Sequence, residues 1–149
     1  MKTILVPVDF SAASTLVVAE AVALGRAVNA RLVVLHVVQP PVIVDSEFGP
    51  QMSAEYSVAA SDSAAKQLRH LQQKLKSEGN TVETRHLVGL PGSSIIEVAE
   101  NVEADYIVLG SHGHGAFYDL VVGSTTSRVL KQAKCPVVVV PRGTKAIRP

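Results

Sequence analysis

The chain has a single cysteine, Cys135, in 149 residues, so no internal disulfide can form and a reducing compartment is the natural setting. With only Lys134 beside it to favour a thiolate, Cys135 reads as a small buried hydrophobe. Excess positive charge is equally missing. Fourteen Lys and Arg against thirteen Asp and Glu leave a net charge of +1, without the clustered cations that contact with a nucleic-acid backbone needs. No apolar run approaches the ~20 residues that span a bilayer. The opening MKTILVPVDF places Asp9 where a signal peptide stays apolar. A cytoplasmic chain with no nucleic-acid or membrane partner is therefore expected. Two familiar phosphate signatures are absent as well. No Gly-Lys-Ser or Gly-Lys-Thr occurs, which excludes a P-loop, and the first strand is followed by VDFSAAS where a dinucleotide fingerprint needs G-x-G-x-x-G. A phosphoacceptor receiver domain would require clustered acidic residues after the first strand and a lysine after the last. Here there is Asp9, then Arg142.

What is present is apolar and short in period. Hydrophobic residues make up 47% of the chain, enough for one domain over residues 1–149 with its own core. Strand candidates are TILVPV, RLVVLHVV from Arg31, TVETRHLV from Thr81, YIVLG from Tyr106 and PVVVV from Pro136. Strands apolar on both faces mark a parallel sheet covered by helices on each side, whereas the alternation of TVETRHLV marks an edge. Helical patterns alternate with them. One begins after Ser11 as its N-cap, another carries Leu68, Leu71 and Leu75 on one stripe and stops at Gly79, a third opens at PGSS with a serine cap, and STTSRVLKQAK is the fourth. Such an order predicts right-handed crossovers and an α/β doubly wound sandwich, five parallel strands in the order 3-2-1-4-5 with four helices. The stretch from Gln39 to Val58 mixes prolines with apolar residues and reads as a surface excursion.

In an open parallel sheet the ligand lies beyond the carboxyl ends of the strands, where the strand order reverses. With the first strand central and the fourth beside it, that point falls between Asp9 and the loop Gly110 to Gly115. Glycines there let backbone approach a ligand, and successive amides can form an anion-binding nest. A second cluster, Gly123 to Thr125, sits where the last helix begins, with Ser124 as its expected cap. The unpaired amides of a helix start supply a further phosphate site. Taken alone, Ser124 is an ordinary cap; its pairing with the nest favours a nucleotide.

The spacing Gly110-x-x-Gly113, nine residues, then Gly123-Ser124 resembles the ATP-binding signature of the universal stress protein family. ILVPVDFS, LHVV and CPVVVV resemble its first, second and last strands, so the likeness runs through nearly the whole chain. The resemblance implies a homodimer that binds ATP or AMP, with Mg²⁺ as a possible companion of the phosphates. It implies that Pro7 and Asp9 line the adenosine pocket and that Val37 meets adenine. Gly110, Ser111, His112, Gly113, His114 and Gly115 would then wrap ribose and phosphates, with Gly123, Ser124, Thr125 and Thr126 completing the phosphate site. His114 departs from the Arg or Lys common in the family and Gly115 from its Ser or Thr, which leaves ATP against ADP or AMP open.

The last strand, Pro136, Val137, Val138, Val139 and Val140, would aggregate if left open at a sheet edge. Antiparallel pairing with its own copy across a twofold axis would cover it, the dimer mode the resemblance also implies. The other available cover, the tail RGTKAIRP, is polar and short. His112 and His114 lack a third and fourth ligand, so no metal site is expected. His36, in an apolar strand, reads as a satisfied core or rim histidine, and Tyr118 and Asp119 as surface contacts. The function these readings support is a stress-response regulatory or sensor module with an unidentified protein partner. A slow ATPase or autophosphorylating protein, with Asp9 and Mg²⁺ organising phosphates and Ser124 or Thr125 as acceptor, is the alternative from the enzyme class. A nucleotide-free dimeric scaffold is the third. No general base, nucleophile or arginine finger is identifiable, so no catalytic residue is assigned.

Overall fold

The computed structural model describes residues 1–40, 51–111 and 122–142, except for the side chains of 51–58. The elements run β1 (Lys2–Pro7), α1 (Ala12–Val28), β2 (Ala30–Val38), α2 (Gln51–Ser77), β3 (Val82–Val88), α3 (Pro91–Asn101), β4 (Tyr106–Gly110), α4 (Ser124–Gln132) and β5 (Val137–Val140). The strands form a sheet in the order β3-β2-β1-β4-β5, every pairing parallel. This is the expected α/β sandwich, with the alternating strand at an edge.

Ile4, Leu5 and Val6 of β1, Val33, Val34 and Leu35 of β2, and Ile107 and Val108 of β4 are fully buried, as strands covered on both faces must be. The pleat sends Ile4, Val6, Leu32 and Val34 to one layer with Val17, Ala21, Leu68 and Leu75 of α1 and α2. Leu5, Val33, Leu35 and Ile107 go to the other, with Ile95 and Val98 of α3 and Val129 of α4. The leucine stripe of α2 thus faces the sheet.

Tight turns return each helix to the sheet. Asn29 adopts φ 54° and closes α1 through its amide to the Gly25 carbonyl, so β2 begins at once. A Cβ on Gly25 would stand 3.2 Å from Leu32 Cδ2, a close fit that the leucine would have to yield to. At the end of α2, Gly79 has φ 87°. Its amide donates to Lys76 and that of Asn80 to Leu75, the paired bonds of a Schellman stop.

Three sequence expectations change, and a fourth, Ser11 as the N-cap of α1, holds in position without its side-chain bond. Residues 51–58, read as part of an excursion, are the first turns of α2; nothing after Pro50 breaks a helix, and Met52, Ala54 and Glu55 favour one, though the segment shows no apolar stripe. Residues 41–50 lie outside the described residues. Ser11 occupies the N-cap of α1, but its hydroxyl makes no capping bond. The cap of α3 is Leu90, with Pro91 already at the first helical position, where a missing N–H costs nothing. Gly123, not Ser124, caps α4.

Candidate functional site

At the carboxyl ends of β1, β2 and β4 the sheet opens into a cleft of about 750 Å³, within the range of small-molecule sites. Three segments build it: the β1–α1 loop, the end of β2, and the start of α4.

The first is fixed by its own hydrogen bonds. The Val8 amide donates to the Leu35 carbonyl at 2.8 Å, carrying the β1–β2 pairing one residue past Pro7. Asp9 Oδ1 accepts from the Ser11 amide and from the Ser14 hydroxyl, each at 2.9 Å, and the Asp9 amide donates to Ser14 Oγ at 3.3 Å. Asp9 and Ser14 therefore do the capping expected of Ser11. Phe10 between them holds φ 59°, a left-handed conformation that costs a non-glycine residue roughly 1–2 kcal/mol. Ser11 lines the cleft, while its hydroxyl is turned in, shielded from solvent and without a hydrogen-bond partner. Unpaired buried hydroxyls are uncommon in folded proteins.

At the end of β2, Val37 and His36 both line the cleft, on opposite faces of the sheet. His36 Nδ1 lies 2.8 Å from the Val8 carbonyl and so donates to it. The expected satisfied histidine is found, at the rim of the cleft.

The third segment crosses from β4 to α4. The Ser111 amide donates to the Val140 carbonyl, its carbonyl accepts from the Gly123 amide, and its hydroxyl accepts from the Arg142 amide. Thr126 Oγ1 donates to the Gly110 carbonyl at 2.7 Å. These bonds set the first turn of α4 against the cleft, with its leading amides free of intrahelical acceptors. Behind it, Arg128 lies across Gly92, where a Cβ would stand 2.7 Å from Arg128 Cδ, and donates to Ser93 Oγ at 3.0 Å. That contact locks α4 to α3.

Pro7, Asp9, Val37 and Gly110 line the cleft, as do Gly123, Ser124, Thr125 and Thr126. Ser111 does not line it; buried, it ties three segments together behind the wall. His112, Gly113, His114, Gly115, Tyr118 and Asp119 lie outside the described residues, as does the tail from 143. Sequence reasoning missed Ser11 and Ser14 as lining residues, together with Ala60, Pro91 and Ile95. Ala60 carries no chemical signal at all, whereas Pro91 follows the carboxyl end of β3 and was findable. Among the described residues no lysine or arginine lines the cleft, and Asp9 is its one carboxylate.

A smaller hollow of about 340 Å³ lies elsewhere, lined by Ala99, Ala104, Ala133 and Cys135, with the Glu100–Lys134 ion pair at 2.7 Å on its rim. Burial, then the nearby Asp105 charge, push the Cys135 thiol above its ordinary value. That disfavours the thiolate; the residue, expected to be buried, is half-buried.

The molecule is a doubly wound parallel α/β protein with a cleft at its strand-order reversal, the place where open sheets of this kind hold ligands. The universal stress protein family model matches residues 1–141. A universal stress protein of Methanocaldococcus jannaschii is 30% identical over 146 residues, covering 97% of this chain and 84% of its own. The solved structure of UspA from Lactobacillus plantarum superposes with a TM-score of 0.82 at 32% identity, covering 93% of this chain and 97% of that one. A universal stress protein in complex with cAMP matches at 26% identity with a TM-score of 0.65, covering 94% and 96%. The chain belongs to the universal stress protein family. Among the described residues no helix is long and apolar enough to cross a membrane.

Proposed function

We propose that the chain is an adenine-nucleotide-binding regulatory module of the stress response, acting in the cytoplasm as a homodimer and taking ATP or AMP in the cleft. The observation that carries this reading is the convergence of three segments on one cleft that leaves the Ser11 hydroxyl buried and unpaired. Turned into the cleft, that hydroxyl would find its missing partner in a ribose or phosphate oxygen. The start of α4 at Ser124 and Thr125 suits phosphate through amides and the helix dipole. With no cation in the described lining, Mg²⁺ would supply the positive charge a triphosphate needs. The related protein solved with cAMP supports the adenine part of the reading.

Binding without rapid turnover fits the described lining: Asp9, its one carboxylate, already accepts two capping bonds through Oδ1. Dimerisation rests on β5. It stands at the sheet edge with Val138 38% exposed, and Leu130 of α4 is 48% exposed. Pairing of Val137 to Val140 with a second copy, flanked by Pro136, would cover that edge. Occupancy of the cleft would then alter the surface shown to a protein partner.

The test is calorimetric titration of nucleotide-stripped full-length chain with ATP, ADP, AMP and GTP, with and without Mg²⁺. Adenine-selective binding, lost in Gly113→Val, is expected; no binding of any nucleotide by wild type would overturn the reading.

A further inference from the structure

The rim of the cleft carries a stack of rings. Phe10 lies on one side of His36, centroids 4.9 Å apart at 44°. His86 of β3 lies on the other at 5.7 Å and 14°, nearly parallel. All three sit on the α1–α2 side of the sheet. His36 holds the Val8 carbonyl and packs on Phe10, so it grips the residues before and after Asp9. His86 is anchored by Nε2 at 2.8 Å from Ser61 Oγ of α2, while its Nδ1 is buried without a partner.

We propose that His36 and His86 are positioning residues for Asp9, and that the brace holds only while the pair carries no proton beyond the neutral state, so that nucleotide affinity falls as pH drops through the histidine range. The proposal rests on the nucleotide reading of the cleft. Its physical basis is the His86 surroundings. With Nε2–H donating to Ser61, the unpartnered Nδ1 is a lone pair in the neutral ring; a proton there would be a buried donor with no acceptor. It would also put a charge 5.7 Å from a second imidazole. Burial first, then His36, hold His86 below the usual histidine value.

Among the described residues no counter-charge pairs with either ring. Asp9 is engaged by Ser11 and Ser14. Asp62 and Lys66 of α2 are exposed. Glu83 and Arg85 bond to each other on the opposite face of β3; Glu55 lies in the part of α2 whose side chains are not described. Neither ring forms an ion pair with any described residue. A bound phosphate is no substitute. His36 lies near the end of β2, whereas Gly110 ends β4 two strands away, about 10 Å off at the ordinary strand spacing and close to the screening length at physiological salt.

The sign follows. A histidine held below its ordinary value in the folded chain contributes full stability above that value, and the contribution is lost progressively as pH falls through it. The β1–α1 loop is where that loss acts.

The experiment has two arms on the full-length chain. Without nucleotide, ¹⁵N NMR follows the imidazoles of His36 and His86 and the amides of Asp9 to Ser11 from pH 8 to 5. The expected result is that the three amides move in step with the His86 imidazole; amides that stay unmoved while His86 titrates would overturn the proposal whatever the cleft binds. With MgATP, calorimetry at pH 7.5 and 5.5 compares wild type with variants, which cancels protonation of the nucleotide itself. Wild type should lose at least about threefold more affinity than His86→Phe, the lower end of coupling between contacting residues. His36→Phe, which loses the bond to the Val8 carbonyl, should bind weakly at both pH values. Equal pH dependence in wild type and His86→Phe would also overturn the proposal. No nucleotide binding by any variant, with amides that follow His86, would sink the nucleotide reading and leave the brace standing.

Discussion

The two ends of the sheet solve different problems. At the amino end, polar groups are closed upon one another: the Thr3 amide donates to Asp105 at 2.8 Å, Lys2 reaches the same carboxylate at 3.3 Å, and Arg31 bridges Thr3 Oγ1 and Glu83. At the carboxyl end, Phe10 is held in a left-handed conformation and Ser11 Oγ is buried without a partner. Between them runs a core of fully buried Ile, Leu and Val. Both ends carry left-handed residues, Asn29 and Glu103 at the amino end and Phe10 at the carboxyl end; what separates them is unmet hydrogen-bonding capacity, which among the described residues falls at the carboxyl end, where the proposed ligand would sit.

Breaking the core should give the largest effect. Ile107→Ala, at a site with no exposed surface, should cost about 2–5 kcal/mol in urea denaturation while leaving MgATP affinity in the surviving folded fraction near wild type. Next is Asp9→Ala. It removes acceptors for Ser11 and Ser14, so chemical denaturation should show a loss of about 1 kcal/mol, and calorimetry a tenfold or greater loss of affinity, about 1.4 kcal/mol, as expected for removal of a charged hydrogen-bonding partner.

Ser11→Ala sharpens the contrast, because it deletes an unpaired hydroxyl. Stability should be unchanged or slightly raised, with MgATP affinity reduced about threefold to tenfold, the worth of one net hydrogen bond. A loss of stability without loss of affinity would assign Ser11 to the fold instead.

The sequence made most of this visible where a pattern had one physical cause. Continuous apolar strands required a covered parallel sheet, and the alternation of Val82 to Val88 required an edge. Glycine spacing located Gly110 and Gly123, which the fold brings to one cleft with Asp9. Illegible were features set by tertiary partners. Whether Ser11, Asp9 or Ser14 caps α1 depends on the left-handed turn at Phe10, and nothing local says that Ser111 is buried in bonds to Gly123, Val140 and Arg142. The start of α2 was hidden because residues 51–58 lack a visible stripe, and His86 met His36 only through strand register.

The smallest effect is expected at the amino end. The Thr3 amide, then Lys2, hold the Asp105 carboxyl below its ordinary value, so its contribution is present above that value and lost as pH falls through the folded one. Solvent screens the pair; Asp105→Asn should slightly flatten acid unfolding below pH ~4 and leave nucleotide affinity untouched.

The central claim is that the carboxyl end is the half of the molecule built for a nucleotide. Amide chemical-shift mapping with AMP and with MgATP tests it residue by residue. The account predicts perturbations concentrated at Asp9 to Ser14, Val37, Gly110 and Gly123 to Thr126, with Thr3, Arg31, Glu83 and Asp105 unmoved. Shifts centred on the amino end, or none at saturating nucleotide, would contradict it.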